Sequence, residues 1–278
     1  MIWKPKREDS IGPGGQVQPP SPVAVLPAGR SLEQQVREAA GRQRFSLHYQ
    51  PLVSVPDHAV VGVEALLRWD SDAGRISPAR FVPILESTGL IGGVGEWVLA
   101  EACQELAAWP RSDWPGLLCV NVSAHQLVPG FANLVLGTLA AGGFPADRLC
   151  LELTNPARLD HDAAAWRELR RLKSCAVRLF VDDFDTAGAS LVDLRRFVVD
   201  AVKIDASFIK GMTRHQDDDA IVAALIGLAH ALGMLAIAEG VETAAQLERL
   251  EALGCDVAQG FHFGAPGPAA LIGSLFGH

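Results

Sequence analysis

Apolar and polar residues follow two recurring patterns along this chain, short apolar runs and longer amphipathic stretches. Eight runs have the length and composition of strands, and they begin at Phe45, Val60, Leu117, Arg148, Ala176, Ala201, Leu235 and Val257. Helix start signals lie between several of them: Ser77 before Pro78, Asp160 before an alanine-rich run, and Thr243 before a run that ends at Gly254. Alternating strands and helices over about 250 residues predict an α/β fold, a TIM-type (β/α)8 barrel.

The connection between the first two predicted strands departs from the regular barrel pattern. Only the segment SVPDHA at 54–59 separates them. A crossover between parallel strands needs about a dozen residues or more. We therefore expect the first strand of the barrel to run antiparallel to the second.

The N-terminal region differs from the rest of the chain. Residues 1–30 show no hydrophobic period and contain QPPSP and PAG, so we expect a flexible leader there and the barrel domain over residues 31–278. No stretch has the apolar core of a secretory signal or the ~18 apolar residues of a membrane span. Five cysteines without a CxxC pair are typical of buried thiols in a reducing compartment, which favours the cytoplasm.

The charge distribution narrows the class of ligand. Lys and Arg number 24 against 32 Asp and Glu, which gives a formal net charge of −8 that is spread along the chain. Nucleic-acid polymers bind clustered Lys and Arg, so we do not expect one as a partner. A small anionic ligand in a focused site remains compatible with this charge.

Polar residues stand at the ends of nearly all the predicted strands. They are Glu64, Asn121, Glu152, Asp182, Asp183, Lys203, Asp205, Glu239, Glu242 and Gln259. A barrel gathers the carboxyl ends of its strands around one mouth, so these side chains are expected to converge. Close carboxylates repel each other, and a bound cation relieves that repulsion.

The donor atoms indicate which cation. Oxygen ligands favour Mg²⁺ or Mn²⁺ over zinc, and adjacent Asp182 and Asp183 can bridge two ions about 3.5–4 Å apart, as in phosphodiester hydrolysis. Lys203 can position water or neutralise charge on a phosphate. Taken singly, each carboxylate is most simply a helix cap or a surface charge. Their joint occurrence at successive strand ends favours a metal or phosphate site.

Seven short motifs carry a resemblance to a known family. They are EALLRW at 64–69, NVS at 121–123, ELT at 152–154, DDF at 182–184, KID at 203–205, AEGVET at 238–243 and QGF at 259–261. In this order, between about Ser31 and Pro266, they resemble the EAL domain family of bacterial cyclic di-GMP phosphodiesterases.

The resemblance implies a barrel with an antiparallel first strand, hydrolysis of cyclic di-GMP to linear pGpG with two Mg²⁺ or Mn²⁺ ions, a homodimer, and a partner protein or sensor domain. By motif position, the metal ligands are Glu64, Asn121, Glu152, Asp182, Asp183 and Glu239. The catalytic residues are Glu64, Lys203, Glu239 and Gln259, with Glu242 in support. The substrate-binding residues are Gln50, Leu67, Arg68, Pro83 and Asp205. Among these, Arg68 offers paired donors to a phosphate, and Leu67 with Pro83 lies under a guanine base.

Two departures from the family pattern bear on activity. Asn155 replaces a family glutamate three residues after Glu152, and the family loop DDFGTGYSS reads DDFDTAGAS at 182–190. In the family this loop lies over the metal site, helps dimerisation and is held by that glutamate. Asn155 offers no charge-assisted interaction, and Asp or Ala in place of glycine is costly where the backbone needs positive φ.

These observations leave two functions open. An active phosphodiesterase is favoured because no direct metal or base position is missing. A catalytically impaired receptor for cyclic di-GMP is the alternative, because of Asn155 and the altered loop. A scaffold that works through protein contacts alone is disfavoured, because Glu64, Lys203 and Arg68 are all present. A regulated enzyme, with the loop ordered only in a dimer or by a partner, reconciles the first two.

Overall fold

Eight strands close into a barrel, and a short ninth strand pairs with the end of one of them. The computed structural model describes residues 31–42, 44–71, 74–109, 116–154, 162–184, 199–214 and 216–273, without the side chains of residues 183, 184 and 216. The predicted leader at 1–30, Asn155 and the altered loop from residue 185 onwards lie outside the described residues. Within them the strand order is β1-β9-β8-β7-β6-β5-β4-β2, and β1 pairs with β2 to close the barrel.

The strands fall where the hydrophobic runs predict them. They are β1 (Phe45–Ser54), β2 (Val60–Ser71), β3 (Gly74–Ile76), β4 (Leu117–Ser123), β5 (Leu149–Thr154), β6 (Arg178–Phe184), β7 (Ala201–Ile204), β8 (Leu235–Ala238) and β9 (Val257–Ala258). The eight predicted runs each contain a barrel strand, so the predicted fold class is confirmed. The three-residue β3 was not predicted, because GRI is too short to carry a period; it forms a hairpin with the end of β2.

The first strand runs as its short connection predicts. β1 pairs antiparallel with β2 and with β9. All other neighbouring barrel strands, from β2–β4 through to β8–β9, pair in parallel. In the β1–β2 register, Gln50 stands opposite Glu64. The reversed strand therefore brings its own polar residue next to the glutamate at the mouth.

Helices cover the outside of the barrel. They are α1 (Leu32–Gly41), α2 (Pro78–Ser87), α3 (Ile91–Ala107), α4 (Phe131–Gly142), α5 (Ala163–Ser174), α6 (Ala206–Gly211), α7 (Gln216–Ala231), α8 (Ala244–Leu253) and α9 (Ala269–Gly273). Thr243 and Gly254 bound α8 as predicted. The cap of α5 is Asp162 rather than the predicted Asp160, because the Asp162 carboxylate accepts the free backbone N–H groups of Ala164 and Ala165. None of the described helices is both long and apolar enough to cross a membrane.

Side-chain alternation along the strands connects the barrel interior to its mouth. Eight apolar residues and thiols pack inside the barrel: Leu52, Val61, Cys119, Cys150, Phe180, Ala201, Ile237 and Val257. Successive side chains on a strand point to opposite faces, so the residue two positions further on faces the same side. Cys150 is thus followed on the interior face by Glu152, and Ala201 by Lys203. The polar side chains that follow this buried layer therefore also point into the barrel, at its open end.

A close backbone contact fixes the turn after β9. A Cβ atom at Gly260 would lie 2.1 Å from the backbone oxygen of Val241. The same segment is held by hydrogen bonds from Val241 N to Gln259 O at 3.0 Å and from His262 N to Val241 O at 2.9 Å. No side chain fits at residue 260 unless these hydrogen bonds shift.

We expect Gly260→Ala to lower the free energy of unfolding by about 1–3 kcal/mol, because the methyl group forces the backbone apart. Gly137→Ala is the matched control, since Gly137 lies on an exposed helix position with open space around it. It should raise stability by about 0.5–1 kcal/mol through helix propensity. Urea unfolding monitored by circular dichroism measures both, and equal effects would contradict the steric explanation.

Candidate functional site

Polar side chains from all eight barrel strands or the residues directly after them meet at one end of the barrel. They are Gln50, Glu64, Asn121, Glu152, Asp182, Lys203, Glu239 and Gln259. Several are withdrawn from solvent: Glu152 is 0% exposed, Lys203 1%, Gln259 3% and Glu64 5%. Charged side chains are seldom buried this deeply without partners. We call this set the mouth cluster.

Lys203 lies at the centre of the mouth cluster. Its Nζ atom is 2.5 Å from Glu239 Oε1, 2.7 Å from Glu152 Oε2 and 3.3 Å from Glu64 Oε2. Asp182 Oδ1 is further away, at 3.9 Å. One ammonium group therefore faces four carboxylates that come from four different strands.

Three amide side chains extend the contacts of Glu64. Asn121 Nδ2 donates to Glu64 Oε1 at 2.6 Å, and Gln259 Nε2 donates to Glu64 Oε2 at 2.9 Å. Gln259 Nε2 also lies 3.3 Å from Gln50 Oε1, and Gln50 Nε2 donates to the backbone oxygen of Gly264 at 3.1 Å. Glu64 is thereby held in one orientation by donors from both sides.

The pKa values in the cluster respond to burial and to Lys203. Burial alone would raise the pKa of Glu64, but Lys203 and the hydrogen bonds from Gln259 and Asn121 together lower it. Burial would likewise lower the pKa of Lys203, yet the surrounding carboxylates, Glu152 first, raise it well above its ordinary value. Glu64 is therefore ionised and Lys203 protonated at neutral pH.

The two remaining glutamates behave differently. Burial, followed by the charge of Glu64, raises the pKa of Glu152 well above its ordinary value. Burial also raises the pKa of Glu239, to about 7, against the opposing effect of Lys203. Both carboxyl groups hold protons more tightly than free glutamate does, because Lys203 alone does not balance the negative charge of the cluster.

The cluster fits a hard divalent cation. Its anionic donors are all carboxylate oxygens, with the amide oxygen of Asn121 beside them, and such ligands suit Mg²⁺ and Mn²⁺. Glu152 Oε1 is buried and has no hydrogen-bond partner, although buried carboxylate oxygens normally have one. A bound cation would satisfy this atom and the excess negative charge. The side chain of Asp183, the sixth predicted ligand, lies outside the described residues.

A cavity of about 370 Å³ opens over Glu64, Glu239 and Gln259. Its wall is completed by Gln50, Leu66, Ala206, Gly240, Glu242, Gly260 and Phe261. Phe261 is 49% exposed, so its ring presents apolar surface to a ligand in the cavity. The cavity combines carboxylates on its floor with apolar surface on its sides.

Three predicted residues lie around this cavity or close to it. Glu242 lines it and is exposed to solvent. Arg68 is half-buried on the strand face that also carries Glu64, and its Nη1 donates to the backbone oxygen of Leu67 at 3.2 Å. Asp205 caps α6, because its Oδ1 accepts from Ser207 N at 2.9 Å.

Two predicted apolar contacts do not line the cavity. Leu67 packs against the hydrophobic core outside the barrel, and Pro83 is exposed within α2. Alternation along β2 therefore assigns the apolar position on this wall to Leu66. The signal was present in the sequence, since Leu66 lies midway between Glu64 and Arg68 at a period of two. Phe261 was also missed; it directly follows the glutamine and glycine of the QGF motif.

Comparison with known proteins agrees with this geometry. The family model of the EAL domain matches residues 33–266. MucR of Pseudomonas aeruginosa, named a bifunctional diguanylate cyclase/cyclic di-GMP phosphodiesterase, is 40% identical over 242 residues, which are 85% of this chain and 35% of MucR. This chain thus spans about a third of the length of that relative.

Two solved structures share the architecture. A PaMucR phosphodiesterase in complex with c-di-GMP is 39% identical with a TM-score of 0.79, covering 86% of this chain and 98% of that one. The EAL enzyme Bd1971, bound to cAMP and cyclic di-GMP, is 28% identical with a TM-score of 0.84, covering 88% and 68%. The family model, the matching barrels and the motif residues gathered at the mouth together show that this chain belongs to the EAL domain family.

Proposed function

We propose that this protein hydrolyses cyclic di-GMP to linear pGpG with two Mg²⁺ or Mn²⁺ ions. The single observation that carries the proposal is the mouth cluster, in which four carboxylates surround Lys203 at the base of an open cavity. Family membership adds support, because the relative MucR is named a cyclic di-GMP phosphodiesterase and the PaMucR structure is a complex with c-di-GMP.

The residues of the chain divide the work of hydrolysis. Bound divalent ions would supply an acidified water and charge stabilisation on the phosphate. The residues proposed to hold them are Glu64, Asn121, Glu152, Asp182, Asp183 and Glu239. Lys203 keeps its proton, so it orients the attacking water and offsets negative charge that develops on the phosphate. Gln259 donates to Glu64 and keeps that carboxylate aimed at the site.

The cavity walls suit a nucleotide with two guanine bases. Leu66 and Phe261 offer apolar surface for a base, and Gln50 offers an amide. Leu67 and Pro83 stay proposed apolar contacts of a guanine base beyond the residues that line this cavity. Arg68 is proposed to bind a phosphate through its paired guanidinium donors, and Asp205 to contact the substrate from the start of α6. Glu242 supports the rim of the cavity.

A receptor that binds cyclic di-GMP without efficient cleavage is the second candidate. The observation that favours it is the sequence DDFDTAGAS with Asn155, in the region that lies over the metal site in the family. Binding uses the cavity walls, whereas cleavage also needs correctly held ions. Measuring binding and product separately distinguishes the two functions.

We extend the proposal to assembly and location. We propose a homodimer, a sensor domain or other partner protein, and a cytoplasmic location. The sensor domain or partner is proposed because hydrolysis of cyclic di-GMP is a signalling output that needs an input. The five free cysteines support a reducing compartment. Residues 31–278 are proposed as the catalytic barrel, with 1–30 as its leader.

Hydrolysis should depend on Glu64. We expect purified protein with Mn²⁺ or Mg²⁺ to convert cyclic di-GMP to pGpG, and Glu64→Ala to lower kcat at least about 10²-fold, because it removes a proposed ion ligand. Chromatography of the nucleotides measures product. Glu248→Ala, at an exposed position of α8, is the matched control and should leave the rate unchanged. Nucleotide binding without product in the unaltered protein would favour the receptor instead.

Arg68→Lys tests the phosphate contact. The lysine keeps the charge but loses the paired donors, so KM should rise about tenfold with a smaller change in kcat. Arg214→Lys, on the exposed turn after α6, is the control and should change neither constant. An unchanged KM in Arg68→Lys would remove Arg68 from the substrate site.

Ion binding should depend on pH through Glu239. Its pKa of about 7 lies above that of free glutamate, so a proton competes with the ion below that pH. We expect Mn²⁺ affinity to fall by up to about tenfold per pH unit as the pH drops below 7, because Glu239 then takes up a proton. Isothermal titration across pH 5.5–8.5, a window chosen to span about 1.5 units on either side of that pKa, measures this. Glu239→Gln should bind more weakly with a flatter pH profile, whereas an unchanged profile would exclude Glu239 as the titrating ligand.

A further inference from the structure

Two cysteines lie side by side in the barrel interior, directly beneath the mouth cluster. Cys119 on β4 and Cys150 on β5 are register partners, and both are 0% exposed. Neither cysteine forms a disulfide bond. The remaining residues of this interior layer are hydrocarbon side chains, so the two sulfur atoms are its soft donor atoms.

The pair has a carboxylate within reach. Glu152 follows Cys150 by two positions on β5, so both side chains face the barrel interior. One ligand atom from each of Cys119, Cys150 and Glu152 lies within 4.8 Å of the other two. Among the described histidines, cysteines and carboxylates, this is the group of three that comes together in this way.

Glu152 has an oxygen atom available for a ligand. Its Oε2 accepts from Lys203 Nζ at 2.7 Å, whereas its Oε1 is buried and has no hydrogen-bond partner. A fully buried carboxylate oxygen without a partner is uncommon and costly. Lys203 thus occupies one side of the carboxylate and leaves the other side free.

We propose that Cys119, Cys150 and Glu152 form a binding site for one thiophilic divalent cation, Zn²⁺ or Cd²⁺. Two sulfur donors and one carboxylate oxygen are a ligand set that selects zinc-like ions over Mg²⁺. On binding, each thiol loses its proton to solvent and forms a metal–sulfur bond. The two positive charges of the cation replace the two protons that leave the thiols, so the net charge of the site is unchanged by binding.

Simple packing is the alternative explanation for these cysteines, because buried thiols often act as small apolar side chains. Cys255 illustrates that case. It is also buried, but its Sγ lies 3.4 Å from the backbone oxygen of Ala236 and 3.3 Å from that of Val257. Cys119 and Cys150 instead hydrogen-bond each other, and their sulfur atoms adjoin a carboxylate whose second oxygen lacks a partner, so three ligand atoms come together there.

Such a site would regulate the mouth cluster, and this consequence rests on the proposed function. Glu152 is shared between the thiol layer and the proposed ion ligands of the mouth cluster. A thiophilic cation held by Glu152 would draw its free oxygen towards the sulfur atoms and away from the Mg²⁺ or Mn²⁺ site. Zn²⁺ would then inhibit hydrolysis of cyclic di-GMP without competing for the nucleotide.

Cadmium titration tests binding without relying on activity. Full-length Cys175→Ser protein, which lacks the exposed cysteine, is stripped with EDTA, kept under argon and incubated with increasing Cd²⁺. Ultraviolet absorbance records the charge-transfer band of cadmium–thiolate bonds. We expect a band that saturates at one equivalent of Cd²⁺ and disappears when Cys119→Ala and Cys150→Ala are added. The same band in that variant, or no band in Cys175→Ser, would overturn the proposal.

Three further single variants guard against misfolding and nonspecific binding. The single variants Cys119→Ser and Cys150→Ser should each weaken Cd²⁺ binding at least about tenfold. Circular dichroism checks that each variant keeps its fold. Cys255→Ser is the matched buried control and should keep the full band. Unchanged Cd²⁺ affinity in both single variants would contradict the site even if the double variant fails to fold.

Inhibition is measured separately. In the Cys175→Ser background, equimolar Zn²⁺ should suppress Mg²⁺-supported pGpG formation, and replacing Cys119 and Cys150 should relieve it. Thiolate binding without any pGpG formation would leave the metal site standing and refute the proposed hydrolysis. Zinc inhibition of equal strength with and without the two cysteines would refute the regulatory role.

Discussion

The buried ammonium group of Lys203 is the interaction on which the mouth of this barrel depends. Four carboxylates from four strands surround it, and several of these groups are shielded from water. Removing one partner of a buried ion pair typically costs about 3–5 kcal/mol, because it leaves an uncompensated charge. Lys203 neutralises only one of the negative charges that the four carboxylates carry when all are ionised. The same arrangement that keeps the barrel end stable therefore retains a negative field that attracts cations.

The antiparallel first strand serves the same cluster. Because β1 is reversed, its mouth-facing residue precedes the inner-core residue Leu52 in sequence, and Gln50 comes to stand opposite Glu64. The segment after β9 returns to β1, where Tyr49 and Gly267 exchange two backbone hydrogen bonds. This return places the backbone oxygen of Gly264 at the Gln50 amide. A chain of hydrogen bonds thus joins the C-terminal part of the barrel to Glu64 through Gln50 and Gln259.

Sequence patterns predicted the barrel because its two signals are local. Apolar runs mark the strands, and the short connection at 54–59 allows only an antiparallel pair. The polar residues at strand ends were predictable for the same reason, since strand ends converge in a barrel. The direction in which individual side chains point was harder to predict from the sequence. Leu66 and Leu67 are chemically identical, and only the strand's alternation decides which one faces the cavity. The position of Phe261 at the cavity depends on the turn after β9, whose path is fixed by the close backbone contact between Gly260 and Val241.

The period of two that builds the mouth also links it to the layer below. On β4 to β9 each mouth residue has an interior neighbour two positions earlier, and on β6 to β9 that neighbour is a hydrocarbon side chain. On β5 the neighbour of Glu152 is Cys150, with Cys119 beside it on β4. Alanine or valine would fill these interior positions without donor atoms, so packing does not require sulfur there. Because Glu152 directs one oxygen to Lys203 and has another without a partner, a cation held by the thiols would act on the charge balance of the whole mouth through this one carboxylate.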